Sequence, residues 1–176
     1  MGTRSDNPTV ALGVELIPEP LWGSNLRRLA PEAWDIVRSR ARSEATCCAF
    51  CGGPAEHCHE RWEYQEHDDC EGTARLTRVA MICEHCHEVV HLGRTGNVHG
   101  MAGLDQAKAH LAAVNGWSAA QVEAHVAAAR ATWERRSAMR WGLDFSPVIK
   151  RYGLGPDDLR GIPVAMSAAV REAVTA

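Results

Sequence analysis

Apolar positions along the chain change period several times, and each change predicts an element. Thr9–Leu21 carries Pro18 and Pro20, which suit an extended arm because proline fixes φ and disfavours helix before it. From Pro31 the apolar residues Trp34, Val37 and Ala41 recur at helical spacing, with proline and Glu32 at the start, so a helix is predicted to about Glu44. Trp62 and Tyr64 then alternate with Glu63, and Leu76–Met81 is rich in β-formers. Two short antiparallel strands follow from this, joined through the polar stretch His67–Thr73. Gly93–Gly103 reads as a glycine-spotted loop. Beyond it Ala107, His110, Leu111 and Val114 form a helical stripe that stops at Asn115-Gly116. Ser118 with Gln121 is a capping-box pair opening a second helix, to about Met139, with Val122, Val126, Ala129 and Trp133 on one face. Past Gly142 the turn formers Pro147, Gly153, Gly155 and Pro156 interrupt the pattern before an alanine-rich end, read as a short or frayed helix.

At 176 residues the chain suits one compact unit rather than two. The expected organisation is an arm and helix over 1–45, a core over 46–100 and a helical extension over 101–176. No apolar run reaches membrane-spanning length and Met1–Pro8 is polar, so a cytoplasmic protein without a membrane partner is expected. A net charge of −3 is not the basic balance of a non-specific nucleic-acid binder. The charge is uneven, however. Arg27, Arg28, Arg38, Arg40 and Arg42 precede an acid-rich stretch from Glu56 to Glu71, so they form either a local basic face or a solvated helix surface.

All 7 cysteines lie between Cys47 and Cys86, an odd number and a clustering that favour metal ligation over disulfides in a reducing compartment. Two C-x-x-C pairs, Cys48 with Cys51 and Cys83 with Cys86, flank 31 residues. A two-residue spacer turns both sulfurs of a pair inward, and four thiolates close a tetrahedral zinc with no position left for water. A structural Zn2+ is expected there. Cys47 competes with Cys48 for the first position, at the less usual spacing of three.

A second set of donors adjoins the first. His87 and His91 are four residues apart, on one face if the segment is helical, and Cys86 diverges from His87 by about 100° so that one helix can serve two sites. Cys58-His59-Glu60 offers a soft ligand, an imidazole and a carboxylate in a row. The pattern C-x-x-C, Cys58-His59-Glu60-x-Trp62-x-Tyr64, Cys83-x-x-Cys86-His87-x-x-x-His91-x-Gly93 resembles the HNH endonucleases of bacteria and phages whose ββα-metal fold is braced by four cysteines. Looser similarity extends to Ser24-Asn25-Leu26-Arg27 and Trp133–Ser137.

That resemblance implies an α+β fold: a small zinc-braced ββα-metal (HNH) core with flanking helices and a mostly helical C-terminal half. It further implies His59 as general base, with His87 and His91 holding a catalytic divalent ion (Mg2+, Mn2+, Ni2+ or Zn2+) against a DNA phosphodiester, RNA being the other open substrate. Cys58 stands where the family often has aspartate or histidine, and as a third ligand it would bias the site toward zinc. In an alternative assignment His59 is a ligand and Glu60 the base. Arg27, Arg28 and Arg94 are the candidate nucleic-acid contacts. The rival reading is a zinc-stabilised nucleic-acid- or protein-binding module with a degenerate HNH site.

Overall fold

A computed structural model describes residues 11–160 and 162; the polar start and the alanine-rich end lie outside the described residues. The fold is α+β, with six α-helices and one three-stranded sheet among the described residues. Helix α1 (Leu26–Leu29) is a single turn opened by Asn25, whose side chain accepts from the Arg28 N–H at 2.9 Å. Helix α2 spans Pro31–Glu44 with Pro31 in its first turn and Ala33, Trp34, Val37 and Ala41 buried, as the spacing predicts.

Strands β1 (His57–Glu66) and β2 (Glu71–Ile82) pair antiparallel and are longer than their apolar signal. Their connection is tighter than expected, because Asp69 and Cys70 both take left-handed backbone, with φ of 65° and 58°. The register skips Thr77: Trp62 pairs with Leu76 and Arg61 with Arg78. This bulge reverses the parity of β2, so that Ala74 and Leu76 before it and Val79 and Met81 after it face one core cluster. Ala80 and Ile82 turn to a second cluster on the opposite face. The half of the hairpin nearest Cys83 is therefore covered on both sides.

Helix α3 (Glu84–Val90) follows β2 directly, and α4 (Leu92–Asn115) continues from it. The expected glycine-rich loop is thus a helix, kinked at Gly100, where φ is +64°. Its glycines sit at helical spacing and permit close packing across the kink: a Cβ on Gly103 would fall 2.4 Å from the His99 Cβ. Helix α5 (Ala119–Ser137) is opened by the predicted capping box, with the Ser118 N–H donating to Gln121 Oε1 at 2.9 Å.

Two elements had no sequence signal. Strand β3 (Arg140–Asp144) adds parallel to β2, giving the order β1-β2-β3, with α3 to α5 as the crossover a parallel pair requires. Helix α6 (Ser146–Tyr152) then covers the first core cluster beside α2. No helix among the described residues is long and apolar enough to cross a membrane.

Of the predicted arm, residues 11–18 run without helix and are strapped across the helical half, while Glu19–Leu21, expected to be extended, forms one turn of 3-10 helix that starts after Pro18 and carries Pro20 in its first turn. Leu12 exchanges two hydrogen bonds with the Asn115 side chain (3.1 and 2.8 Å). The Val14 N–H donates to His125 Nε2 at 3.0 Å, and the Glu15 N–H to the Val90 carbonyl at 2.9 Å. Trp133 Nε1 donates to the Ile17 carbonyl at 3.1 Å. These bonds deliver the Glu15 side chain to β1.

Candidate metal centre and adjoining cleft

The two C-x-x-C pairs meet. Cys48 and Cys51 occupy a turn closed by the Cys48 N–H to the Gly53 carbonyl (2.7 Å) and the Gly52 N–H to the Cys48 carbonyl (3.0 Å). Cys83 caps α3, accepting from the Cys86 N–H at 3.5 Å, which aims both sulfurs of that pair back at the turn. The Sγ atoms of Cys48, Cys51, Cys83 and Cys86 lie within 4.8 Å of one another, and Cys51 and Cys83 are 3.6 Å apart. A tetrahedral zinc with bonds of about 2.3 Å needs sulfurs about 3.8 Å apart, so the four thiols can hold one. Cys47 is exposed and outside the cluster, which decides the competition for the first position in favour of Cys48.

Electrostatics agree with a cation's place. Burial raises the Cys48 thiol, but backbone N–H groups of Cys51, Cys83 and Phe50 outweigh it and bring it down to about 7. Burial, then the adjacent Cys83 and Cys48, drive Cys86 far up, so charge on one sulfur makes a second costly until a metal shares it. His110, which sequence reading gave no role, puts Nε2 3.2 Å from Cys86 Sγ.

The imidazoles of His59, His87 and His91 form a second cluster, one ring nitrogen from each lying within 4.8 Å of the others. His87 and His91 come from consecutive turns at the α3–α4 junction, with ring centroids 4.7 Å apart. His59 reaches them from β1, at 5.9 Å from His87 and 5.0 Å from His91. His57, two residues earlier on the same face, stacks on His87 at 4.8 Å. Burial first, then the neighbouring imidazoles and Arg94, depress His87 to about 3; burial and His59 depress His91 to about 4. Both rings are therefore neutral, the state a metal ligand needs.

Strand alternation separates the other expected members. Cys58 points to the opposite face from His59, with Sγ 3.3 Å from Met81 Sδ, and does not join the imidazoles. Glu60 shares the Cys58 face. Its oxygens accept from the Leu26 N–H at 2.9 Å and Trp62 Nε1 at 3.0 Å, so it caps α1 instead of facing His87 and His91. Burial pushes its carboxyl up to about 7 against those two donors.

In place of Cys58 and Glu60, the neighbour of His59 is Glu15 from the arm, a residue sequence reading missed. Glu15 Oε2 lies 3.1 Å from His59 Nε2, and Oε1 accepts from Arg61 NH1 at 2.6 Å. The two residues are 44 positions apart, and nothing local in the sequence links them.

A cleft of about 370 Å³ opens beside the imidazoles, and Arg27, Arg38, Arg42, Trp34 and Trp62 line it together with Glu15, Glu56 and Glu60. Arg38 and Arg42 are one turn apart on α2, and both lie close enough to Cys58 to offset part of the rise that burial imposes on its thiol. Arg38 pairs with Asp35 at 3.2 Å, whereas Arg27 and Arg42 form no ion pair among the described residues. Of the three expected nucleic-acid contacts, Arg27 lines the cleft and Arg94 lies near enough to depress the imidazoles. Arg28 instead folds over the turn at Gly23. Part of the acid-rich stretch lies at the other end of the hairpin, where Glu66 pairs with Arg135 and Arg136 (3.0 and 2.9 Å) and Glu71 with Arg140 (2.7 Å), whereas Glu56 and Glu60 line the cleft. Seven residues of strand put Glu66 roughly 20 Å from His59.

Comparison of the chain with protein-family models, with curated proteins and with solved structures finds no match.

Proposed function

We propose that the protein is a metal-dependent phosphodiesterase acting on DNA, built on a zinc-braced ββα core of the HNH kind. One observation carries this reading: the imidazoles of His59, His87 and His91, from β1 and the α3–α4 junction, converge beside a cleft whose lining includes Arg27, Arg38 and Arg42 together with Glu15, Glu56 and Glu60. Donor chemistry of that kind suits a divalent ion, and the arginines suit a polyanion.

In this reading the four cysteines hold a structural zinc that fastens the Cys48 turn to the start of α3, fixing where His87 and His91 stand relative to β1. His87 and His91 hold the catalytic ion, which supplies charge stabilisation at the phosphate. His59 accepts the proton of the attacking water, a task suited to an imidazole at neutral pH. Arg27, Arg38 and Arg42 receive the strand's phosphates. A second reading, a binding module without turnover, is favoured by one feature: His59 is only 5% exposed and its Nε2 is already engaged by Glu15.

Nicking of supercoiled plasmid across Mg2+, Mn2+, Ni2+ and Zn2+ separates the two. Wild type should nick with at least one ion, and His59→Ala and His87→Ala should lose about 100-fold or more. Equal residual nicking in all three, with DNA binding intact, would establish the binding module instead.

A further inference from the structure

The Glu15 carboxylate occupies a place that decides what His59 can do. Its backbone is fixed by the Glu15 N–H to the Val90 carbonyl at 2.9 Å, and the carboxylate by the Arg61 guanidinium on Oε1 at 2.6 Å and His59 Nε2 on Oε2 at 3.1 Å. His59 is buried, so no abundant solvent competes for that ring nitrogen. An ion-paired carboxylate can only accept hydrogen bonds, so the Nε2 that faces it must be the nitrogen bearing hydrogen. A neutral imidazole carries one N–H, which leaves the lone pair on Nδ1.

We infer that Glu15 is the positioning residue of the imidazole cluster: it holds His59 as the Nε2–H tautomer and so makes Nδ1 the nitrogen available to an ion or to the proton of water. The role in hydrolysis rests on the phosphodiesterase reading; the tautomer does not. The arm becomes part of the site, since the strap that packs on α4 and α5 also sets the ring's protonation pattern. Ligating or basic histidines elsewhere are commonly oriented by a carboxylate on the second nitrogen, at a cost of about 10- to 100-fold in metal affinity when it is lost.

Arg61 makes the test sharp. In Glu15→Gln only one oxygen remains, and the donor-only guanidinium claims it, so the amide NH2 is turned toward His59. That NH2 can only donate. Nε2 must then accept, and the hydrogen moves to Nδ1, removing the lone pair there. Glu15→Gln with Arg61→Met frees the amide to rotate and should restore the Nε2–H form.

Long-range 1H–15N correlation spectra of the full chain, zinc-loaded and near neutral pH, read the tautomer directly. The expected result is a single Nε2–H form in wild type, a predominantly Nδ1–H form in Glu15→Gln, and reversion in the double variant. Titration with Ni2+ as probe should show a 10- to 100-fold weaker imidazole site in Glu15→Gln alone. An Nδ1–H or doubly protonated ring in wild type overturns the inference, as does an unchanged tautomer or a Ni2+ affinity within twofold in Glu15→Gln. If Glu15→Gln fails to fold, the wild-type tautomer decides by itself. A protein that never nicks DNA but shows these spectra refutes the phosphodiesterase reading and leaves the assignment of Glu15 standing.

Discussion

Cys47 and Cys48 are adjacent in sequence and opposite in environment, which makes them a paired experiment on the zinc cage. Cys48 is buried with its sulfur among those of Cys51, Cys83 and Cys86; Cys47 is exposed and outside that set. Structural zinc sites bind with about 10–16 kcal/mol in small modules, comparable with the whole stability of a domain, about 5–15 kcal/mol. The cage here joins the Cys48 turn to α3, and that turn buries little besides Cys48 and Phe50, so few contacts would hold it without metal. Serine at Cys48 removes one of the four thiolates of the cage. Forfeiting even a quarter of the binding energy, about 3 kcal/mol, lowers Tm by roughly 6–12 °C for a chain of this size. The assay is zinc stoichiometry by elemental analysis together with thermal unfolding, with and without a chelator. Cys47→Ser should match wild type in both. Cys48→Ser should bind less than one zinc and melt at least about 6 °C lower, and chelator should move wild type but not the variant. Equal loss in Cys47→Ser and Cys48→Ser would refute the assignment, as would full zinc and an unshifted Tm in Cys48→Ser.

Two further outcomes follow from the charges around the cleft. With His87 depressed to about 3 and His91 to about 4, the unfolded chain takes up two protons below about pH 6.5 that the folded chain refuses. Glu60, raised to about 7, binds one in the folded state that the unfolded chain releases. Burial lowers His110 and His125 as well, so the balance favours the unfolded state and stability should fall as pH drops from about 6.5 to 5.5. His87→Gln should flatten that slope, and denaturant titrations that show a rise toward acid in wild type would contradict the sign. In the cleft lining, Arg42→Gln should weaken binding of a non-cleavable DNA and lower the slope of log K against log salt by about 1. An unchanged slope would remove Arg42 from the phosphate path.

Sequence by itself determined what depends on spacing a few residues long. The two C-x-x-C pairs, the His87–His91 spacing, the α2 stripe from Trp34 to Ala41 and the Ser118–Gln121 cap are local, so the residues that define each feature also position it. The strand triplet Cys58-His59-Glu60 was only half legible. Period-two alternation forbids neighbours from serving one site, but which member faces α3 depends on the register and on the two core clusters that clothe the sheet. The glycines of 93–103 read as a loop because propensity sees their freedom and not the close packing they allow inside a kinked helix. Tertiary structure alone decided the rest: β3 beside β2, α6 over the first core, Arg38 and Arg42 in one cleft with the imidazoles, and Glu15 on His59. Each of these joins positions 17 or more apart, and such pairings are set by the burial of shared apolar faces, which leaves no mark on the local pattern of either partner.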